Sequence, residues 1–79
     1  PGLLVFTYEL VRAAAIELTV HDASGRRVAT VEQGAREAGG HEARWDGRDE
    51  AGGRAAPGIY FGRLSGADGS RVSKIVVLP

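Results

Sequence analysis

Most of the information about the fold lies in residues 40–64, GHEARWDGRDEAGGRAAPGIYFGRL. A short alternating run ends at Trp45, the chain's one tryptophan, and a corner rich in glycine and aspartate follows it. An aromatic-bearing run then begins at Gly58. An apolar strand, a tight polar corner and a second apolar strand, in that order, are typical of a small antiparallel β-sandwich.

Length and charge restrict the class of protein. The 79 residues correspond to one domain, residues 1–79, which would bury only about 60% of the surface that the unfolded chain exposes. Ten basic residues balance ten acidic residues, so no net field attracts nucleic acid or an anionic membrane. We therefore expect no nucleic-acid partner. No apolar run approaches the roughly 18 residues of a membrane helix, and we expect no membrane insertion.

The sequence contains no cysteine, which excludes disulfides and cysteine-held metals and leaves the compartment open. The chain begins with Pro1 and not with methionine. We expect it to be a piece of a longer protein, with any export signal upstream. A neighbouring domain or a second copy would help to cover so small a core.

The alternation of apolar and polar residues predicts six strands separated by turn signals. We expect them at residues 3–10, 15–21, 27–32, 41–45, 58–65 and 71–78. In residues 15–21, the side chains of Glu17, Thr19 and His21 would face outward. Residues 33–40 are predicted to be a loop, because their glycines restrict any helix to about one turn.

Alternate residues of these strands form the predicted core. Its members are Ile16, Leu18, Val20, Trp45, Tyr60, Leu64, Ile75 and Val77. Residues 58–65 also carry Ile59 and Phe61 on the opposite face, which indicates a central strand or a face covered by a partner. We predict an all-β fold, an immunoglobulin-like antiparallel β-sandwich of six to seven strands.

Glycine and aspartate mark the corners, since glycine tolerates positive φ and aspartate hydrogen-bonds to backbone amides. The predicted turn residues are Asp22, Gly25, Asp46, Gly47, Asp49, Gly52 and Gly58. Asp46, Asp49 and Glu50 would also suit calcium, which takes about six to eight oxygen ligands. Arg48 interrupts these acids, however, so we favour turn capping and ion pairs with Arg48 or Arg54.

Other residue patterns give no catalytic or metal site. His21 and His41 lie on different predicted strands and, even with Asp22, provide too few ligands for zinc. The serines do not follow the Gly-x-Ser-x-Gly pattern of a nucleophile elbow. Neighbouring carboxylates in one exposed corner do not form the facing pair that acid–base catalysis requires. We predict no catalytic residue, no metal and no cofactor.

Aromatic and arginine side chains leave two surface hypotheses. Trp45, Tyr60 and Phe61 would form a sugar-stacking platform if they were exposed. A lone tryptophan in a small domain usually fills the core, however, and we assign Trp45 to it. Five arginines would line a face that meets a partner: Arg12, Arg26, Arg27, Arg44 and Arg63. Acidic residues interleave with them, so the sequence does not establish a basic patch.

Several segments together resemble a known family. They are residues 8–10 (YEL), residues 16–20 (IELTV) with Asp22 and residues 25–26 (GR), residues 40–41 (GH), residues 45–49 (WDGRD), Gly52, residues 58–60 (GIY), residues 63–64 (RL) and Lys74 before Val76. This pattern resembles the immunoglobulin-like domain of FlgD, the flagellar hook-capping protein. It is also similar to the C-terminal sorting domains of bacterial proteins exported by the type IX route. The resemblance covers essentially the whole chain and implies structural roles for these residues, with no catalytic residue to carry over.

Two residues depart from the family pattern. His21 stands where an aromatic residue is common, and Gly62 stands where a bulkier residue is usual. We expect neither change to disturb the fold. We expect both to reduce the surface that a partner would contact.

Three functions follow from the fold and the resemblance, and none is enzymatic in itself. The first is a non-catalytic accessory module at the C-terminus of an exported bacterial protein, acting in sorting, surface anchoring or spacing. Its location would be extracellular or at the cell surface, with the periplasm in transit. Its partners would be the upstream domain of the same protein or the export machinery, with self-association as an alternative. The second function is a flagellar hook-capping or assembly module, and the third is a carbohydrate- or protein-binding domain attached to an enzyme.

Overall fold

A computed structural model describes residues 4–79 and shows six β-strands within that range. The strands are β1 (Leu4–Leu10), β2 (Ala14–Asp22), β3 (Arg27–Arg36), β4 (Gly39–Trp45), β5 (Gly58–Gly66) and β6 (Gly69–Val77). The predicted all-β fold is confirmed. Leu3, predicted as the start of the first strand, lies outside the described residues. Among residues 4–79 the structure has no helix with the length and apolar character needed to cross a membrane.

The strands form two antiparallel sheets of unequal size. The smaller sheet pairs β1 with β4, and the larger has the strand order β3-β2-β5-β6. The predicted central position of the fifth strand is correct, because β5 lies between β2 and β6. Contacts across the interior join the sheets: the Tyr8 hydroxyl of β1 donates a hydrogen bond to Glu32 Oε1 of β3 at 2.9 Å. The chain is therefore a β-sandwich whose layers are joined by both packing and hydrogen bonding.

The core lies between the sheets and follows the period-two pattern of the strands. Its buried apolar residues are Ile16, Leu18, Val20, Val28, Ala29, Ala43, Trp45, Tyr60 and Ile75. Leu64 and Val77, which were expected in the core, are half-buried. The four-stranded sheet thus supplies most of the interior, and β4 contributes Ala43 and Trp45 from the opposite layer.

The predicted loop at residues 33–40 is wrong. β3 continues to Arg36 and β4 begins at Gly39, so the link between them is two residues long. β3 continues because β2 begins early enough for Ala14 to pair with Arg36. Gly39 has φ of 118°, a conformation that residues with a Cβ rarely adopt. Glycine at this position therefore permits the tight turn from β3 into β4. From the sequence, these glycines had been interpreted as the sign of a loop.

Two expectations about surface exposure, at Thr19 and Gly62, also need correction. Thr19 points to the outer face of the larger sheet, as expected, yet only 4% of its surface is exposed. Its hydroxyl lies 2.9 Å from His21 Nε2 and 3.5 Å from the carbonyl oxygen of Arg63, so it has hydrogen-bond partners where it is covered. Gly62 is buried and meets the Phe6 ring of β1, so it does not reduce a partner surface. The lack of a side chain at Gly62 makes room for that ring.

Enlarging Gly62 should test the contact between the sheets. A Cβ at this position would lie 2.6 Å from Phe6 Cε1, which is too close unless the ring moves. Gly62→Ala should therefore lower the free energy of unfolding by about 1–3 kcal/mol, measured by urea denaturation.

Gly40→Ala is the matched control, since a Cβ there would meet nothing within 4 Å. It should change stability by less than about 1 kcal/mol. Combining Gly62→Ala with Phe6→Leu should recover part of the loss, because the smaller side chain relieves the overlap. Equal effects of the two glycine substitutions would contradict this packing.

Candidate functional site

Trp45, the last residue of β4, lies in the core and not on an exposed platform. Trp45 is only 5% exposed, and its indole N–H donates a hydrogen bond to the backbone carbonyl of Arg48 at 2.9 Å. The ring meets Tyr60 edge-on, with 6.1 Å between ring centroids and 61° between ring planes. Such edge-to-face pairs are favourable beyond the area they bury. The Trp45 ring is therefore not accessible for the sugar stacking that was considered from the sequence.

The aspartates of the corner after Trp45 cap backbone amides. Asp46 Oδ1 accepts a hydrogen bond from the Arg48 amide at 3.0 Å. Asp49 Oδ1 accepts hydrogen bonds from the amides of Ala51 and Gly53, at 3.0 and 2.9 Å. Asp46 also lies 3.9 Å from the Arg48 guanidinium. These carboxylates are therefore engaged by the corner itself, in the manner proposed from the sequence.

Glu50 differs from its two neighbours. Its carboxylate lies 3.4 Å from Arg27 Nε. The sequence had predicted an ion pair with Arg48 or Arg54 instead. Its backbone amide donates to the carbonyl of Val28 at 2.9 Å, which attaches the corner to β3. Across residues 4–79, no three histidine or acidic side chains converge as a metal site would require.

Tyr60 closes the same corner from the other end. Its hydroxyl donates a hydrogen bond to the carbonyl of Ala56 at 2.6 Å, four residues earlier in the chain. A tyrosine near the start of a strand that bonds back to the preceding backbone is the tyrosine corner of immunoglobulin-like sandwiches. The amide of Ala55 also donates to the carbonyl of Gly47 at 2.8 Å. The corner is thus a hydrogen-bonded unit that begins at one core aromatic and ends at the other.

The two histidines lie on different sheets and do not form a joint site. His21 on β2 lies against Thr19 Oγ1 at 2.9 Å and the carbonyl of Gly25 at 3.3 Å, so both ring nitrogens have protein partners. His41 on β4 lies 2.7 Å from the carbonyl of Glu37 and stacks on Tyr8 with centroids 5.2 Å apart. Burial, and then the hydrogen bond to Glu32, raise the pKa of the Tyr8 phenol. These contacts assign the histidines local structural roles.

Asp22 organises the turn between β2 and β3. Its Oδ1 accepts hydrogen bonds from the hydroxyl and amide of Ser24, at 2.6 and 2.9 Å, and from the amide of Arg26 at 3.0 Å. Gly25 takes a φ of 90° in this turn, as glycine readily does. The Ser24 hydroxyl is the main cause of a lowered pKa for the Asp22 carboxyl, and the amides and the Arg26 guanidinium add to the effect.

The five arginines of the candidate face differ in whether they form ion pairs. Four of its members have acidic partners: Arg12 with Asp68, Arg26 with Asp22, Arg27 with Glu50 and Arg44 with Glu42. Arg27 lies on β3 of the larger sheet and Arg44 on β4 of the smaller one, so the four do not share one sheet face. Arg63 on β5 forms no ion pair within the described part of the chain.

A groove of about 430 Å³ runs beside β1. Phe6, Leu18 and Leu64 line it together with the exposed Arg71 and Ser73. Its lining includes one carboxylate, that of Glu9, and the phenol of Tyr8, whose hydroxyl donates a hydrogen bond to Glu32. Two carboxylates, the pair considered from the sequence, do not face each other in this groove.

Sequence reasoning found only part of the apolar outer face of β5 and β6. Register places Ile59 opposite Val76, Phe61 opposite Lys74, and Arg63 opposite Val72. Val72 and Val76 alternate with the interior residues Ile75 and Val77, so β6, like β5, is apolar on both faces. From the sequence, this pattern was recognised for Ile59 and Phe61 of β5, for which a partner-covered face was one explanation, but it was not extended to Val72 and Val76 of β6.

Comparison with known proteins identifies the family. The sequence profile described as the FlgD Ig-like domain matches residues 4–70. The chain belongs to the FlgD Ig-like domain family. A search of curated proteins finds no match. The crystal structure of FlgD from P. aeruginosa is similar, with a TM-score of 0.76 and 23% sequence identity over 95% of this chain and 61% of that chain. The chain therefore spans about three fifths of the length of that FlgD chain, and the likeness confirms the predicted immunoglobulin-like fold.

The family assignment supports the FlgD part of the resemblance and indicates no enzyme family. The likeness to type IX sorting domains has no support from these comparisons. In this member of the FlgD Ig-like domain family, the Trp-Asp-Gly segment builds the corner described above, and Tyr60 closes it. These residues of the resemblance are engaged in packing and turns, whereas Arg63 and Lys74, which also belong to it, lie exposed on β5 and β6.

Removing the Tyr60 hydroxyl should weaken the corner without emptying the core. Tyr60→Phe keeps the ring against Trp45 but leaves the carbonyl of Ala56 without this donor. We expect the free energy of unfolding to fall by about 1 kcal/mol, measured by urea denaturation. An unchanged midpoint would show that the corner does not depend on this hydrogen bond.

The turn at Asp22 should make stability depend on pH. Because the pKa of Asp22 is lower in the folded chain than in the unfolded chain, its contribution is present above the unfolded value of about 3.9. That contribution is lost as the pH falls through the folded value. Asp22→Asn should therefore reduce the fall in stability between about pH 5 and pH 2, measured by urea denaturation across that range.

Ser24→Ala is the matched variant for this experiment. It removes the shortest hydrogen bond to the carboxylate but keeps both amide donors. It should give a pH dependence between those of the parent chain and Asp22→Asn. Identical pH profiles for all three proteins would contradict the assigned cause of the pKa shift.

Proposed function

We propose that this FlgD Ig-like domain is a non-catalytic structural module of a flagellar hook-assembly scaffold. The observation that carries the proposal is the family match over residues 4–70, which coincides with a fold similar to FlgD over 95% of the chain. This was the second of the three functions considered from the sequence. The sorting function, which was placed first, lacks comparable support.

The chemistry of the corners agrees with a structural role. The carboxylates of Asp22, Asp46 and Asp49 are directed to backbone amides of their own turns. Both core aromatics bond their polar atoms to the same corner. Groups satisfied in this way hold the ends of strands in place. A module of this kind acts by presenting its surface at a defined position in an assembly.

As part of such a scaffold, the module would act outside the cytoplasm. Its partners would be the rest of its own polypeptide and neighbouring subunits of the hook structure. The small size of the domain suits this arrangement, because a chain of 79 residues buries a limited fraction of its own surface and a neighbouring domain can cover more of it.

An in-frame deletion of residues 4–79 from the full-length gene in its own host tests the proposal. We expect cells that lack normal hooks in electron micrographs and that fail to swim through soft agar, while the shortened protein is still exported. The matched control replaces the segment with an unrelated immunoglobulin-like domain of similar length, which restores spacing without the specific surface.

The same strains separate the alternatives by a second measurement, the amount of the parent protein in the culture medium and in the cells. Retention of the shortened protein inside cells that have normal hooks would contradict the assembly role and favour sorting. Normal hooks together with normal export would contradict both functions.

A further inference from the structure

The outer face of β5 and β6 exposes several large apolar side chains. Ile59, Val72 and Val76 are 45%, 62% and 58% exposed, and Phe61 lies half-buried beside them. Cross-strand register brings Ile59 against Val76, which makes a pair on the surface. Single exposed apolar residues are normal, whereas large exposed apolar patches mark interaction sites. The residues named here, with Arg63 and Lys74, are termed the β5–β6 outer face.

The other half of the same sheet face is different. On β3, the outward-facing Thr30 and Arg27 lie opposite Thr19 and His21 of β2. Thr30 and Arg27 are polar and exposed, and Arg27 is ion-paired with Glu50. Exposed apolar area is therefore concentrated at one edge of the four-stranded sheet.

Two basic side chains lie among these apolar residues and form no ion pair with an acidic residue of the described chain. Arg63 lies opposite Val72, and Lys74 lies opposite Phe61. Six arginines elsewhere form ion pairs, and two others, Arg54 and Arg71, form none within residues 4–79; the six are Arg12, Arg26, Arg27, Arg36, Arg44 and Arg48. Within residues 4–79, neither Arg63 nor Lys74 forms one. Glu17, on the neighbouring strand opposite Ser65, is half-buried and pairs with neither cation.

This arrangement of charge limits what can cover the face. In a two-fold dimer the same patch meets itself, so Arg63 and Lys74 would face cations of the second copy and repel them. Nucleic acid is bound through several phosphate contacts, and anionic lipid through clusters of about four or more basic residues. Two cations among apolar side chains suit instead a protein surface with carboxylates beside apolar groups.

We propose that the β5–β6 outer face docks a separate protein subunit that presents acidic side chains flanking an apolar stripe. The apolar groups of the partner would cover Ile59, Val72 and Val76, and its carboxylates would pair with Arg63 and Lys74. The presence of the partner in a hook assembly rests on the proposed function. The chemistry of the partner rests on the surface alone.

Titration of the isotopically labelled chain with designed peptides tests the surface chemistry by NMR. The first probe is a capped amphipathic helical peptide with leucines along one side, flanked by glutamates. The second probe has lysines in place of the glutamates. We expect the glutamate peptide to bind more tightly, with amide shifts concentrated in β5 and β6. Arg63→Glu with Lys74→Glu should weaken its binding about tenfold and reverse the preference for the two peptides.

Arg44→Glu on β4 is the matched control, because it reverses an exposed and ion-paired arginine on the other sheet. It should leave the affinity for the glutamate peptide unchanged. Val72→Ser with Val76→Ser should weaken both peptides, and the dispersion of the amide spectrum verifies that each variant is folded.

Several outcomes would overturn the proposal. They are equal affinity for the two peptides, shifts confined to β1 and β4, dimerisation through the β5–β6 outer face, and stronger binding to anionic lipid vesicles or duplex DNA than to the glutamate peptide. Peptide binding as expected in a chain whose deletion leaves hooks intact would refute the assembly role alone. Hook loss without peptide selectivity would refute the docking chemistry alone.

Discussion

The edge-to-face contact between Trp45 and Tyr60 is the constraint on which the sandwich depends. Trp45 ends β4 in the smaller sheet, and Tyr60 lies near the start of β5 in the larger one, so the pair joins the layers where the chain crosses between them. A small domain has little area to bury, and aromatic rings supply much of it. The polar atoms of both rings are satisfied by the intervening corner, which allows the rings to stay inside.

Local patterns made much of this predictable from the sequence. Residues 15–21 alternate strictly, so β2 could be placed with its interior face, and the Trp-Asp-Gly segment could be assigned to a strand end and a corner. Residues 33–40 could not be assigned in the same way. Their strand structure depends on pairing with Ala14 and Ala15, which are distant in sequence. The glycines in residues 33–40 are compatible with a loop as well as with a bent strand. The pairing of this segment with β2 therefore determined its strand structure.

The candidate sites show the same division. Aspartate capping was predictable because the amides that Asp46 and Asp49 bind are within four residues. Ile59 and Phe61 of the β5–β6 outer face were assigned from the sequence to the side opposite the core. Val72 and Val76 were not assigned to it, because sequence alone does not say which strand pairs with β5. Likewise, the pairing of Glu50 with Arg27 and not Arg54 follows from the attachment of the corner to β3.

The interior and corners use their polar groups internally, so variation in function has to occur on the surface. An exposed ion pair contributes only about 0–1 kcal/mol to stability, so leaving Arg63 and Lys74 unpaired costs the fold little. Substituting them would change what the sheet recognises while the Trp45 corner stays intact. A fold shared with FlgD from P. aeruginosa at 23% identity is consistent with this separation. The core and corners need only preserve volume and hydrogen bonding, while the exposed edge of the larger sheet remains free to match a particular partner.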